Sequence, residues 1–292
     1  MEKEKPKIIV ILGQTATGKS DLAVKIAKKV NGEVISADSR QVYKGLDLGT
    51  GKITKEETQG IPHYLLDVAN AKNKFSVAEY KKLADKKIEE IISHGKTPII
   101  CGGTGFYIDA VVNNVIFPEV PPNEKLRISL NKKTTEELFK MLKKLDSRRA
   151  KNIDPKNKVR LIRAIEIAKK LGKVPSLKNK NSDYEFIKIG LYMPLELLRE
   201  KINKRLISRI ENGMLKEIQN LHKNRLSWKR MEELGLEYRY VALYLQKKIT
   251  KEEMLEKLNS EIFKYAKRQM TYFKRDLEIK WFDASKKVAF KL

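Results

Sequence analysis

Eight residues near the start of the chain, Gly13-Gln14-Thr15-Ala16-Thr17-Gly18-Lys19-Ser20, fit the spacing G-x-x-x-x-G-K-[ST]. Their chemistry is phosphate capture. The glycines let backbone N–H groups curl round an oxyanion, and a following helix adds the positive end of its dipole. Lys19 supplies a cation, and Ser20 a hydroxyl suited to Mg²⁺. The spacing specifies two linked phosphates, not the molecule that carries them. Further along, Asp38 can act as a general base, a Mg²⁺ ligand or a helix N-cap. Gly102-Gly103-Thr104-Gly105 is a second tight turn, which either aims the Thr104 hydroxyl at the same crevice or only turns a corner. Asp67 suits a metal-holding acid or a loop cap equally. Cys101, the single cysteine, has no histidine near it in sequence and reads as a small buried hydrophobe rather than a nucleophile. With His63, His94 and His222 far apart as well, neither an internal disulfide nor a zinc site is expected.

These groups need a scaffold. Lys7 to Leu12 is short, β-branched and apolar, as a buried parallel strand should be. The stripe Leu22, Ala23, Ile26, Ala27, Val30 predicts the helix that follows the phosphate loop. Glu33–Ala37, His63–Val68 and Thr97–Cys101 are further expected strands, with an amphipathic helix over Val77–Ile92. Strands alternating with helices predict an α/β fold: a parallel sheet flanked by helices, with ligands at the carboxyl ends of the strands. After residue 112 the texture changes. Pro118, Pro121 and Pro122 interrupt the chain, and the stretch to 185 reads as a basic helical insertion without strands. Phe186–Met193 returns to the sheet, and helical patterns dominate from Leu195 onward. The expected division is a core of 1–112 and 186–292 with an insertion domain at 113–185. Within 262–275, one face carries Ile262, Ala266, Met270 and Phe273, and the other carries Lys264, Lys267, Arg268 and Arg275.

Charge points to the partner. The chain has 292 residues, 62 Lys plus Arg against 37 Asp plus Glu, and a formal net charge of +25. A uniform compositional bias would spread that surplus evenly. Instead residues 1–112 carry a surplus of 4 (18 against 14), 113–186 a surplus of 10 (19 against 9), and 187–292 a surplus of 11 (25 against 14). A nucleic-acid surface in the later two-thirds is the expectation, since clustered cations gain affinity by releasing counterions from a polyanion. At 41% hydrophobic residues the chain is no disordered tail. Its opening Met-Glu-Lys-Glu-Lys-Pro lacks a signal peptide's apolar stretch, and no run approaches the roughly 20 residues that span a bilayer. The sequence therefore predicts a cytoplasmic protein and no membrane partner.

Several segments together resemble one family. They are the loop 13–20, the stretch Ser36-Ala37-Asp38-Ser39-Arg40-Gln41-Val42-Tyr43-Lys44-Gly45 running on to Lys52, and Cys101 to Tyr107. Val159 to Glu166, Gly235-Leu236-Glu237-Tyr238-Arg239 and Lys267-Arg268-Gln269-Met270-Thr271 complete the set, in order along nearly the whole chain. They resemble the bacterial tRNA dimethylallyltransferases, also called tRNA isopentenyltransferases or IPP transferases. That resemblance implies a P-loop NTPase-like core, Mg²⁺ as cofactor, and a monomer. It implies two substrates: dimethylallyl diphosphate, and the anticodon stem-loop of tRNA. The reaction would move the five-carbon group to N6 of the adenosine 3′ of the anticodon, position 37, and release diphosphate.

Residue by residue, the resemblance makes Asp38 the general base, with Thr104 and Lys19 beside the reacting centre. Gly13 to Ser20 and Arg239 would bind diphosphate, with Ser20 on the metal. Asp38, Ser39, Arg40, Gln41 and Thr104, with Arg127, Val159, Arg160, Leu161, Ile162 and Arg163, would contact tRNA. Gln14 stands where Pro or Ser is commoner, and Leu-Glu-Tyr-Arg of 236–239 replaces a frequent Gly-Tyr-Arg. Two alternatives share the loop. A small-molecule or nucleotide kinase would turn over ATP, and an adenylate isopentenyltransferase would prenylate free AMP. Neither accounts for a long basic insertion.

Overall fold

The protein is described by a computed structural model covering residues 4–176, 178–179 and 182–286. The outermost residues of the expected core, 1–3 and 287–292, lie outside the described residues. The chain forms two compact units, residues 1–114 with 181–292, and 115–180.

The larger unit opens with β1 (Lys7–Gly13), α1 (Lys19–Val30), β2 (Gly32–Ser36), β3 (His63–Tyr64), α2 (Val77–Ser93), β4 (Thr97–Cys101) and α3 (Gly105–Val112). The smaller unit contains β5 (Val115–Ile116), α4 (Glu124–Asn131), α5 (Thr135–Leu145), α6 (Ser147–Lys151), α7 (Lys158–Leu171) and β6 (Lys178–Asn179). The chain then re-enters the larger unit as β7 (Glu185–Tyr192), α8 (Leu195–Glu211), α9 (Met214–Lys223), α10 (Trp228–Leu234), α11 (Leu236–Leu245), α12 (Lys251–Phe273) and β8 (Lys280–Asp283).

Six strands form one parallel sheet in the order β3-β2-β4-β1-β7-β8. Ile8 to Leu12 are buried on both faces, which is why β1 reads as a continuous apolar run rather than an alternation. Strands leave β1 toward β4 and β2 on one side and toward β7 and β8 on the other. The crevice at the carboxyl end of β1 is therefore the switch point where such sheets bind ligands. The mixed α/β fold is as the sequence predicts.

Three local expectations need correction. The predicted strand over His63–Val68 stops at Tyr64, because Leu65 and Asp67 take left-handed backbone angles (φ 61° and 57°) that an extended chain cannot hold. The insertion is not free of strands: β5 and β6 pair antiparallel, Val115 with Asn179 and Ile116 with Lys178. On α12 the buried stripe is Ile262, Ala266, Gln269 and Phe273, so a polar residue takes the place expected of Met270. The final edge strand β8 was not anticipated.

The smaller unit has its own core of Leu130, Leu138, Leu142, Leu161, Ile162, Ile165 and neighbours. Its helices start on side-chain caps: Asn123, Thr134, Asp146 and Asn157 each accept a backbone N–H from the first turn.

Candidate active site

The phosphate loop is shaped before any ligand arrives. Gly13 has φ 133°, and a Cβ there would fall 2.1 Å from the Leu191 carbonyl oxygen, so β1 can lie this close to β7 only with glycine. Gly18 is left-handed (φ 83°) and gives α1 no side-chain cap. The first amide groups of the helix are thus left to the loop's concave side, the arrangement that holds oxyanions. Thr17 Oγ1 and Lys19 Nζ both donate to the Gln14 carbonyl, at 2.8 and 2.6 Å. Burial pulls the Lys19 pKa down to about 8, with Arg205 helping and Cys101 and Asp38 opposing. Gln14, the unusual residue of the loop, is buried; its Oε1 accepts from the Met193 amide at 3.2 Å and ties the loop to the end of β7.

Two further turns close over the loop. Asp38 follows β2, and its Oδ1 accepts the amides of Arg40 (2.8 Å) and Gln41 (3.3 Å). The carboxylate therefore caps a turn, not a helix, and spends one oxygen doing so. Thr104 follows β4: its amide donates to the Ala37 carbonyl at 3.1 Å, and its Oγ1 accepts from the Ser39 amide at 3.0 Å. Asp38 and Thr104 are thereby fastened to each other across neighbouring strand ends. Gln269 of α12 locks the arrangement, accepting from the Thr15 amide at 2.7 Å and donating to the Gly103 carbonyl at 2.9 Å. A Cβ on Gly103 would sit 2.2 Å from that Nε2.

Asp67 takes no part; it pairs with Lys52 at 2.7 Å. Cys101 is buried, and burial pushes its thiol up to about 12, which removes it as a nucleophile.

Sequence reasoning missed a group that arrives from late in the chain. Arg205 and Arg209 on α8 and Glu237 on α11 line a small cavity with Thr15 and Ala16 of the loop and the apolar Ile202, Leu206 and Ile262. Arg205 is solvent-exposed, but the protein packed about its guanidinium draws its pKa down to about 10; Arg209 adds like-charge repulsion and Glu237 opposes both. The legible signal was spacing: Leu198, Ile202 and Leu206 form the buried stripe of α8, and the two arginines lie one turn apart beside it. Arg239, by contrast, is exposed, and its Nε donates to the Glu232 carbonyl at 3.0 Å. It does not line that cavity.

The remaining expected residues belong to the smaller unit. Arg127 makes a two-pronged contact with Glu166, Nε to Oε1 at 3.0 Å and Nη2 to Oε2 at 2.9 Å. Arg163 pairs with the same Glu166 and donates to the Val120 carbonyl at 2.8 Å. Burial alone would raise the Glu166 pKa, but these bonds and the Asn123 amide more than offset it and hold it low. Leu161 and Ile162 are core; Val159 (78% exposed) and Arg160 face outward from the first turn of α7.

No cluster of three acidic, histidine or cysteine groups able to hold a metal occurs among the described residues. Ser20, an exposed residue of the loop, offers a hydroxyl that fits an ion completing its shell with phosphate oxygens and water, as Mg²⁺ commonly does. None of the described helices is long and apolar enough to cross a membrane.

Known proteins resemble the chain over nearly its whole length. Residues 41–276 match the family model described as IPP transferase. A tRNA dimethylallyltransferase of Treponema denticola is 44% identical, covering 93% of both chains, and one of Anoxybacillus flavithermus is 40% identical over 97% of this chain and 92% of its own. Among solved structures, the tRNA isopentenylpyrophosphate transferase of Bacillus halodurans aligns with a TM-score of 0.71 at 35% identity, over 96% of this chain and 90% of that one. A eukaryotic dimethylallyltransferase, captured crystallographically acting on tRNA, aligns with a TM-score of 0.81 at 29% identity, over 96% and 74%.

Proposed function

The chain belongs to the IPP transferase family, and from that premise we propose how its own residues carry out the reaction. It transfers the dimethylallyl group of dimethylallyl diphosphate to N6 of the adenosine 3′ of the anticodon, position 37 of tRNA. The observation that carries the assignment of roles is the convergence of Asp38 and Thr104 beside a loop flanked by Lys19 and Arg205.

The exocyclic amine of adenine is a weak nucleophile, because its lone pair is delocalised into the ring. As N6 bonds to the allylic carbon and the C–O bond breaks, the amine must lose a proton. Asp38, with one oxygen free of the turn, accepts it; a general base of this kind contributes about 10²–10⁴-fold. Thr104 positions Asp38 through the shared turn at Ser39 and orients the amine. The diphosphate leaves with growing negative charge, which the loop amides, Lys19 and Arg205 stabilise. Ser20 would hold Mg²⁺, which would supply further neutralisation of that charge.

Arg205 fits the diphosphate better than Arg239, since it is the one beside the loop. In the smaller unit, Val159 and Arg160 meet the RNA while Leu161 and Ile162 hold their turn in place; Arg127 and Arg163 shape that surface through Glu166. A base must leave its stack to reach Asp38, and contacts of the basic unit offset that cost of a few kcal/mol. The protein works as a cytoplasmic monomer, with residues 113–185 as its tRNA-binding domain.

The test is transfer of label from dimethylallyl diphosphate with Mg²⁺ into unmodified tRNA, with free AMP and ATP turnover assayed in parallel. Label in tRNA from the wild type and not from Asp38→Ala supports the reading. ATP consumed, or AMP prenylated and tRNA untouched, refutes it.

A further inference from the structure

Beside the phosphate loop there are two guanidinium groups and one carboxylate, and that imbalance carries information. Arg205 and Arg209 both crowd the backbone of Gly51: a Cβ there would fall 2.8 Å from Nη2 of Arg205 and 2.0 Å from Nη2 of Arg209. Glu237 makes its direct ion pair with Arg209, Oε1 to Nη1 at 3.1 Å, with the two side chains 11% and 14% exposed, and attracts Arg205 only at longer range. Among the described residues Arg205 has no ion-pair partner; its Nη2 reaches the Gly51 carbonyl at 3.5 Å. One arginine is therefore occupied and the other is left for an incoming anion.

A carboxylate buried next to an anion site is costly on its own account, because it repels the ligand and loses its water. Its placement makes sense when it keeps a cation engaged. Resting on the reading that this loop binds diphosphate, we propose that Glu237 is a positioning residue that holds Arg209 back from the diphosphate, leaving Arg205 to grip it. Two arginines and a lysine on the same group would hold substrate and product diphosphate alike. Such uniform binding lowers KM without speeding the chemistry, and it delays departure of the product. Glu237 sets the grip at a strength that still lets diphosphate go.

The experiment is calorimetric titration of inorganic diphosphate, with Mg²⁺, into the full chain, alongside steady-state kinetics. Four proteins are compared: wild type, Glu237→Gln, Arg209→Met, and the double Arg209→Met/Glu237→Met. Glu237→Gln frees Arg209 and should bind diphosphate about tenfold more tightly, the scale of one charge changed at an anion site. Its kcat and its KM for dimethylallyl diphosphate should fall together. Arg209→Met leaves Glu237 facing the ligand unpaired and should bind more weakly. The double variant replaces the pair by apolar groups and should return to wild-type affinity.

A purely structural role predicts weaker binding in all three variants, and that outcome overturns the proposal. So does a Glu237→Gln affinity equal to that of wild type. If Glu237→Gln does not fold, the other two variants decide, since weakening in the single and recovery in the double is expected of the proposal alone. A wild type that fails to bind diphosphate sinks the reading of the loop, and this inference with it. A wild type that binds while Glu237→Gln does not tighten sinks the inference only.

Discussion

Replacing Asp38 by Asn separates the residue's two tasks. The turn after β2 needs one acceptor oxygen, which receives the amides of Arg40 and Gln41, and an asparagine carbonyl provides that. What Asn cannot do is take a proton from N6. Two charge-assisted hydrogen bonds become neutral ones, a loss of about 1 kcal/mol each. For a domain of this size each such step lowers Tm by about 2–4 °C. The chemical step should suffer far more. Loss of a general base costs about 10²–10⁴ in rate, equivalent to about 3–5 kcal/mol on the barrier. Asp38→Ala, which also removes the turn acceptor, should lose as much rate and more stability. The assay is single-turnover transfer of label to tRNA with both substrates saturating, so that binding and release do not mask chemistry, with thermal melts run on the same samples. An Asp38→Asn enzyme within tenfold of wild type would refute the assignment of Asp38 as base. A melting loss that accounts for the missing activity would refute it equally.

Because burial pulls Lys19 down to about 8, the free protein loses that cation as pH rises through this value. Affinity for inorganic diphosphate should therefore weaken above pH 8 and be steady below it down to pH 7, and in Lys19→Met calorimetry should show that dependence gone. Gln269→Leu leaves the Thr15 amide and the Gly103 carbonyl without their shared partner; about 1–3 kcal/mol of stability per unsatisfied buried group should disappear in denaturant titrations. In the smaller unit, Glu166→Leu strands Arg127 and Arg163 and should cost about 3–5 kcal/mol, read as early melting and lost tRNA binding with diphosphate binding intact. The lowered Glu166 pKa fixes the acid limb: its stabilising contribution is complete above the ordinary carboxyl range and is lost as pH falls below about 4.5.

Whether a feature was legible depended on whether its cause was local. The loop 13–20 and its flanking strand and helix are specified by adjacent residues, so spacing alone located them. Thr97–Cys101 was placed to the residue for the same reason. The strand after His63 failed because left-handed angles at Leu65 and Asp67 come from how that loop folds back on the core, which composition does not encode. β8 has only four residues at a sheet edge, too few for a pattern. Arg205 and Arg209 are marked only by their spacing beside the apolar stripe of α8, and Glu237 only by its place in the segment 235–239. Their meeting beside the loop arises only when α8 and α11 pack against it, a tertiary fact set late in the chain. Gln269 occupies a position that helical periodicity reserves for an apolar side chain, and its value lies in two backbone groups that sequence does not show as orphans.

That glutamine also has a bearing on synthesis. Chains emerge from the ribosome amino end first, and domains fold as their parts become available. The phosphate loop leaves the tunnel among the first residues, yet Thr15 and Gly103 find their common partner only when α12 arrives, after the whole insertion and α8 have been made. A nascent or truncated chain ending before α12 thus carries the phosphate motif but not the clamp that sets its shape, nor, until α8 is out, the arginines beside it. The bonds from Gln269 to Thr15 and Gly103 are therefore among the last parts of the site to form as the chain is made.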